Sequence, residues 1–185
     1  MKIYKQFCYL LLLISFFTFS ECKKHKPDTP VDQLPPATQT GASTFGCLVN
    51  GKVFTPSGDP FGGPIKSCAY QFVGGYSFQL KARRSEGSGT YSIGVFTDSL
   101  EIQEGTKLLL QNQYEKGKAY GKYSLFSFTG DKLFTTDSIS SGELFIKKFD
   151  QANRIVSGTF WFDAVNDVGE KVQVREGRFD MKYTL

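Results

Sequence analysis

Two patterns of apolar and polar positions divide the chain. Phe7 to Phe19 is an apolar block broken only by Ser15 and Thr18, whereas from Thr44 onward apolar and polar residues alternate with a period of two. Such alternation places successive side chains on opposite faces of a strand. Tyr76, Phe78, Leu80 and Ala82 fall on one face, and Ser77, Gln79, Lys81 and Arg83 on the other. The stretch Ser85-Glu86-Gly87-Ser88-Gly89 then turns the chain into a second alternating run through Tyr91, Ile93 and Val95. Cys47-Leu48-Val49 and Lys52-Val53-Phe54 flank Asn50-Gly51, a pair that suits a type I′ hairpin turn. Further strands are expected over 106–111, 119–128, 142–149, 154–165 and 170–184, with turn residues between them.

Two irregularities refine this picture. Val172 and Val174 share one parity, while Phe179, Met181 and Tyr183 share the other, so the face of the last strand switches near Glu176-Gly177. A β-bulge makes that switch, and glycine tolerates it. The strands over 142–149 and 154–165 carry large apolar groups on both faces, Leu144 and Ile146 against Phe145 and Phe149, and Phe160 and Phe162 against Trp161. A sheet wetted on one side does not need that. No segment shows a helical stripe. The fold class expected for residues 44–185 is all-β, an antiparallel β-sandwich, with a flattened up-and-down β-barrel as the alternative.

The N-terminal block has a different meaning. Lys2 and Lys5 precede it, and its length falls short of the roughly 20 apolar residues of a membrane-spanning helix, so residues 1–21 read as an export signal. It ends Phe19-Ser20-Glu21-Cys22, which resembles a bacterial lipoprotein signal in which the cysteine is acylated; Glu21 departs from the small residue usual there. The expected attachment site is Cys22, and Cys8 leaves with the signal. Residues 22–43 contain Pro27, Pro30, Pro35 and Pro36 and few large apolar groups, so they read as a flexible tether to the lipid.

Composition narrows the function. Of the 22 Lys and Arg, five precede Thr44, as do three of the 18 acids, which leaves the domain 17 cations against 15 anions with the signs interspersed. That is no nucleic-acid footprint. The single histidine, His25, lies in the tether, which removes histidine-based nucleophilic sites and histidine-ligated zinc from the domain. No metal or cofactor is expected. Cys47 and Cys68 remain in the domain, and in an oxidising compartment an even pair reads as one disulfide, with two buried thiols as the alternative.

Carboxylates alone could support glycoside hydrolysis, and Asp163, Glu176 and Asp180 are the candidates, although a domain with 15 acids offers such sets freely. Asp163, Asn166, Asp167 and Glu170 cluster oxygen ligands that could hold calcium, but an Asn-Asp-x-Gly turn explains the same residues. Trp161, with Phe145, Phe149 and Tyr183, is the one binding hint, since aromatic faces stack on sugars and dominate protein interfaces; a second core face is the competing explanation.

Residues Phe45 to Phe54, Gly142-Glu143-Leu144, Phe149-Asp150, Ser157 to Phe162 and Gly177-Arg178-Phe179-Asp180 together resemble an uncharacterised family of envelope lipoproteins common in the Bacteroidetes. The resemblance implies envelope localisation and carries no activity. Surface-exported lipoproteins of that phylum have acidic residues after the cysteine, whereas this chain has Lys23-Lys24-His25-Lys26, which implies the periplasmic face of the outer membrane. The expectation is a non-catalytic envelope lipoprotein that binds a glycan, a peptide or a protein partner. The alternatives are a carboxylate-based hydrolase of envelope polysaccharide and a structural or assembly component.

Overall fold

The computed structural model describes residues 29–59 and 63–185; the segment 1–21 expected to be an export signal, Cys8, Cys22, His25 and the basic cluster Lys23 to Lys26 lie outside the described residues. The strands are β1 (Thr44–Val49), β2 (Lys52–Phe54), β3 (Lys66–Phe72), β4 (Tyr76–Glu86), β5 (Gly89–Asp98), β6 (Lys107–Leu110), β7 (Lys118–Ser127), β8 (Lys132–Thr135), β9 (Gly142–Asp150), β10 (Ile155–Val165) and β11 (Lys171–Lys182). Among the described residues they form one eleven-stranded sheet in the order β2-β1-β11-β10-β9-β6-β7-β5-β4-β3, with β8 bridging β7 and β10. All pairings are antiparallel except β6 with β7, which meet in parallel at Leu110 and Ala119. Isolated bridges, Ala69 with Thr184 and Ser57 with Arg84, tie the two ends of the order together. The sheet therefore wraps around a single interior, which agrees with the all-β expectation and with either a sandwich or a flattened barrel.

The local signals act as expected at the first hairpin. Asn50 and Gly51 both take positive φ, 48° and 76°, as a type I′ turn demands, and Cys47 pairs with Phe54 across it. Two strands carry no clear sequence signal. β8 has four residues, too few to display a period, and in β3 the apolar Ala69 between the inward Cys68 and Tyr70 blurs the alternation. Elsewhere the alternation translates directly into burial: Phe78, Leu80, Ile93, Val95, Leu144, Ile146, Phe162, Val174 and Phe179 are all sealed in one core.

The bulge in β11 is real but its chemistry differs from the expectation. Two β11 residues face one residue of β10 between Phe160 and Phe162, and the register to β1 shifts between Gly46 and Leu48. The left-handed residue is Glu176, at φ 54°, not Gly177. Gly177 serves proximity instead: a Cβ there would lie 2.5 Å from the Phe160 carbonyl oxygen.

Two other expectations are corrected. The tether assigned to residues 22–43 does not hold for 29–43, the part of it that is described, because there the chain packs on the domain. Pro30–Gln33 form a 3₁₀ turn, Leu34 is only 6% exposed, and Pro35 lies so close to β1 that a Cβ on Gly46 would sit 2.5 Å from it. Asp180, fully buried, then accepts bonds from the Thr38 hydroxyl (2.7 Å), the Thr40, Gly41 and Ala42 amides (2.8, 2.7 and 3.1 Å) and, at 3.4 Å, the Thr40 hydroxyl. A segment too polar to bury itself is ordered by a carboxylate that satisfies its backbone donors. The disulfide is also absent. Cys47 and Cys68 are free, buried thiols, both pushed up by burial. The register explains why: Cys47 stands beside residues 176–177 of β11, whereas Cys68 accepts a bond from the Thr184 amide at 3.0 Å. About seven residues of strand separate those levels, roughly 20 Å, against a Cα limit of about 7 Å for a bridge.

Candidate functional site

The outer face of β4, β5 and β7 builds a site that the individual strands do not announce. Ile93, Val95 and the other inward residues fix the parity, so Lys81 and Arg83 on β4, Ser92, Gly94 and Phe96 on β5, and Lys122, Ser124 and Phe126 on β7 all point outward. Register then sets them in rows. Gln79, Phe96 and Tyr120 form one row, Lys81, Gly94 and Lys122 the next, and Arg83, Ser92 and Ser124 the third. The two lysines are separated by two strand spacings, about 10 Å between Cα atoms, with a glycine between them.

That glycine has a packing reason. A Cβ on Gly94 would fall 2.4 Å from the Phe96 ring, so the ring lies down over the bare backbone of its own strand. Phe96 in turn stacks on Tyr120 at 4.9 Å and 15°, and Tyr114 meets Tyr120 edge-on at 5.6 Å. Burial, then the neighbouring Tyr114 and Asp98, push the Tyr120 hydroxyl up to about 12, so this shelf stays neutral across the physiological range. Lys81 rests its ammonium 5.6 Å from the Phe96 centroid.

The rows form a groove of about 470 Å³, walled by Phe96 and Phe126, with Ser67, Ser92 and Ser124 among its polar lining. Its described lining contains Lys81, Arg83 and Lys122 and no acid. Arg83 is held in place by the carbonyl oxygens of Asp59 and Gly63, both at 2.6 Å, and of Pro64 at 3.2 Å. Neither Lys81 nor Lys122 takes part in any of the ion pairs among the described residues.

The residues singled out from sequence fall elsewhere and are not brought together. Trp161, 42% exposed, lies on the outer face of β10, with the Arg175 guanidinium 5.4 Å from its ring, and Phe145 lies on the same face of β9 beneath Lys107. The groove beside Trp161, about 560 Å³, is charged but internally balanced: Arg175 pairs with Asp163 at 2.5 Å and Arg178 with Glu176 at 3.6 Å. Phe149 and Tyr183 belong to another cluster, stacked on each other at 5.6 Å and meeting Tyr70 edge-on at one end of the core. The two-sided pattern of β9 and β10 thus has two causes, an outer aromatic face and an end-plug of the core.

The candidate carboxylates are committed to separate structural partners. Asp163 and Glu176 hold those arginines, and Asp180, enclosed beneath the N-terminal segment, holds Thr38 to Ala42. The oxygens weighed for calcium close a turn instead. Asn166 accepts from the Glu170 amide at 2.7 Å and donates to its carboxylate at 2.8 Å, while Lys132 pairs with Glu170 at 2.8 Å. The sequence placed Lys81 and Arg83 on the polar face of β4 and turned the chain into β5, but it could not place Lys122 of β7 beside them. The available signal was the parity of Lys122, Ser124 and Phe126; the missing one was register.

Residues 74–181 match the family model described as Domain of unknown function (DUF6252), a span that runs from just before β4 to near the end of β11 and contains Lys81 to Phe126. No curated protein and no solved structure matches the chain.

Proposed function

This chain belongs to the DUF6252 family, and because that membership carries no activity we propose its function from the groove: a non-catalytic binding module that holds a polysaccharide chain against the outer face of β4, β5 and β7. We place it in the bacterial cell envelope, anchored through an acylated Cys22 to the outer membrane and facing the periplasm, in keeping with its lipoprotein-like N-terminus.

The observation that carries the reading is the row Lys81–Gly94–Lys122 with Phe96 laid across its centre. It offers donors, hydroxyls and an aromatic wall along one open groove, the set of groups a sugar chain needs. An extended peptide fits less well. β4, β5 and β7 are paired along both edges, so no backbone edge is free there for strand addition. The groove also outranks the Trp161 face, where arginines and carboxylates already neutralise one another.

The test is a glycan array probed with the detergent-solubilised full-length protein, followed by calorimetric titration of any hit. Binding that is lost in Phe96→Ala and kept in Trp161→Ala supports the assignment. An array silent across neutral and charged glycans ends it.

A further inference from the structure

We propose that the polysaccharide held in this groove is acidic, carrying carboxylate or sulfate groups that seat on Lys81 and Lys122. This rests on the polysaccharide-binding reading above and goes further by fixing the chemical class of the chain.

The inference comes from charge left over. The domain's net charge is only slightly positive, and four other recesses of the described surface line cations together with acids: Lys132 with Glu170, Arg175 with Glu176, Arg84 with Glu86 and Arg154 with Glu104. The groove breaks that rule, with Lys81, Arg83 and Lys122 lining it and no acid among the described lining residues. Two like charges facing one recess repel each other slightly when it is empty, and an anion removes that cost on binding.

Geometry adds discrimination. Arg83 has its guanidinium engaged by backbone carbonyls, so it contributes field more than free donors. Lys81 and Lys122 are the groups free to contact ligand, from opposite sides of Gly94, over which the Phe96 ring lies as an apolar floor between them. A chain running along β5 would place an anionic group on either side. Ser92, one row further and half-buried, supplies a hydroxyl for the sugar ring, while Ser124, 4% exposed, lies beneath the surface beside it. A neutral glucan would leave both ammonium groups without a counter-charge.

The experiment titrates detergent-solubilised full-length protein with dextran, polygalacturonate, dextran sulfate, polyglutamate and a single-stranded oligonucleotide. The two acidic polysaccharides separate a carboxylate preference from a sulfate preference. The expected result is binding to at least one of them, at least tenfold tighter than to dextran, and weakening as salt rises from about 0.15 M to about 1 M. Lys81→Gln with Lys122→Gln should lose about tenfold in affinity, and Lys81→Arg with Lys122→Arg should retain it. Both lysines point outward, so an unchanged unfolding midpoint in each variant separates lost contact from lost fold. Equal binding to dextran and to the acidic polymers overturns this inference and leaves the polysaccharide reading standing. Binding confined to polyglutamate or the oligonucleotide, or salt-sensitive adsorption unchanged in the glutamine variant, overturns it as well. Silence with all five polymers overturns both.

Discussion

Asp180 ties the segment Thr38 to Ala42 to the last strand. It is fully enclosed, and its carboxylate remains charged because Thr38, Thr40, Ala42 and Gly41 donate to it. Burial is the largest influence and raises its pKa, but those donors together outweigh it and hold the group below the ordinary carboxylate range. A carboxylate whose folded pKa is depressed stabilises the fold above its unfolded pKa, near 3.9, and the contribution disappears as pH falls through the lower folded value. Urea midpoints should therefore drop on acidification below about pH 4, and that drop should be smaller in Asp180→Ala. The same substitution should cost about 1–3 kcal/mol at neutral pH, because it removes the charged acceptor of three part-buried amide donors. A change under about 1 kcal/mol would show that the N-terminal segment is not held this way. Gly94 raises a different residue-level question. Gly94→Ala puts a methyl into the Phe96 ring, so the ring must leave the groove floor. Ligand affinity should fall while stability, read from the same urea titration, moves by about 1 kcal/mol or less.

Within the strands, turn chemistry and register decide the details. Gly51 sits at φ 76° with open space around it, so Gly51→Ala meets only backbone strain and should cost about 1 kcal/mol, a fall of roughly 2–4 °C in melting temperature. Gly177→Ala meets the Phe160 carbonyl instead, and backbone yields less readily than a side chain, so the loss should be larger, about 1–3 kcal/mol. A reversed order of these two effects would contradict the assignment of Glu176, not Gly177, as the left-handed residue of the bulge. The cysteines are another matter of register. Both thiols should resist alkylation in the native protein and react after unfolding, with Cys47 and Cys68 peptides recovered unlinked in mass spectra. A linked peptide would refute the strand alignment that puts them roughly 20 Å apart.

For the molecule as a whole, on the anchoring proposed above, Cys22→Ser should move the protein from the detergent phase to the aqueous phase on partitioning, because the acyl chains would supply the membrane affinity. Most of the architecture was legible beforehand: the alternation of Phe78-x-Leu80-x-Ala82 or Ile93-x-Val95 leaves one face for the core whatever the neighbours are. So was the hairpin at Asn50-Gly51, since only a few residue pairs tolerate positive φ twice in succession. Those are properties of a residue and its immediate neighbours, and the sequence by itself determined them, together with the absence of histidine from the domain. Tertiary structure alone decided which strands became neighbours beyond the local hairpins. That choice separated Cys47 from Cys68, sent Trp161 and Tyr183 to different places, brought Thr38 to Ala42 onto Asp180, and aligned Lys81, Gly94 and Lys122 in one row. The reason is that pairing is non-local: each strand's outward residues are fixed by its own period, but what stands beside them is set by backbone hydrogen bonds that carry no side-chain code.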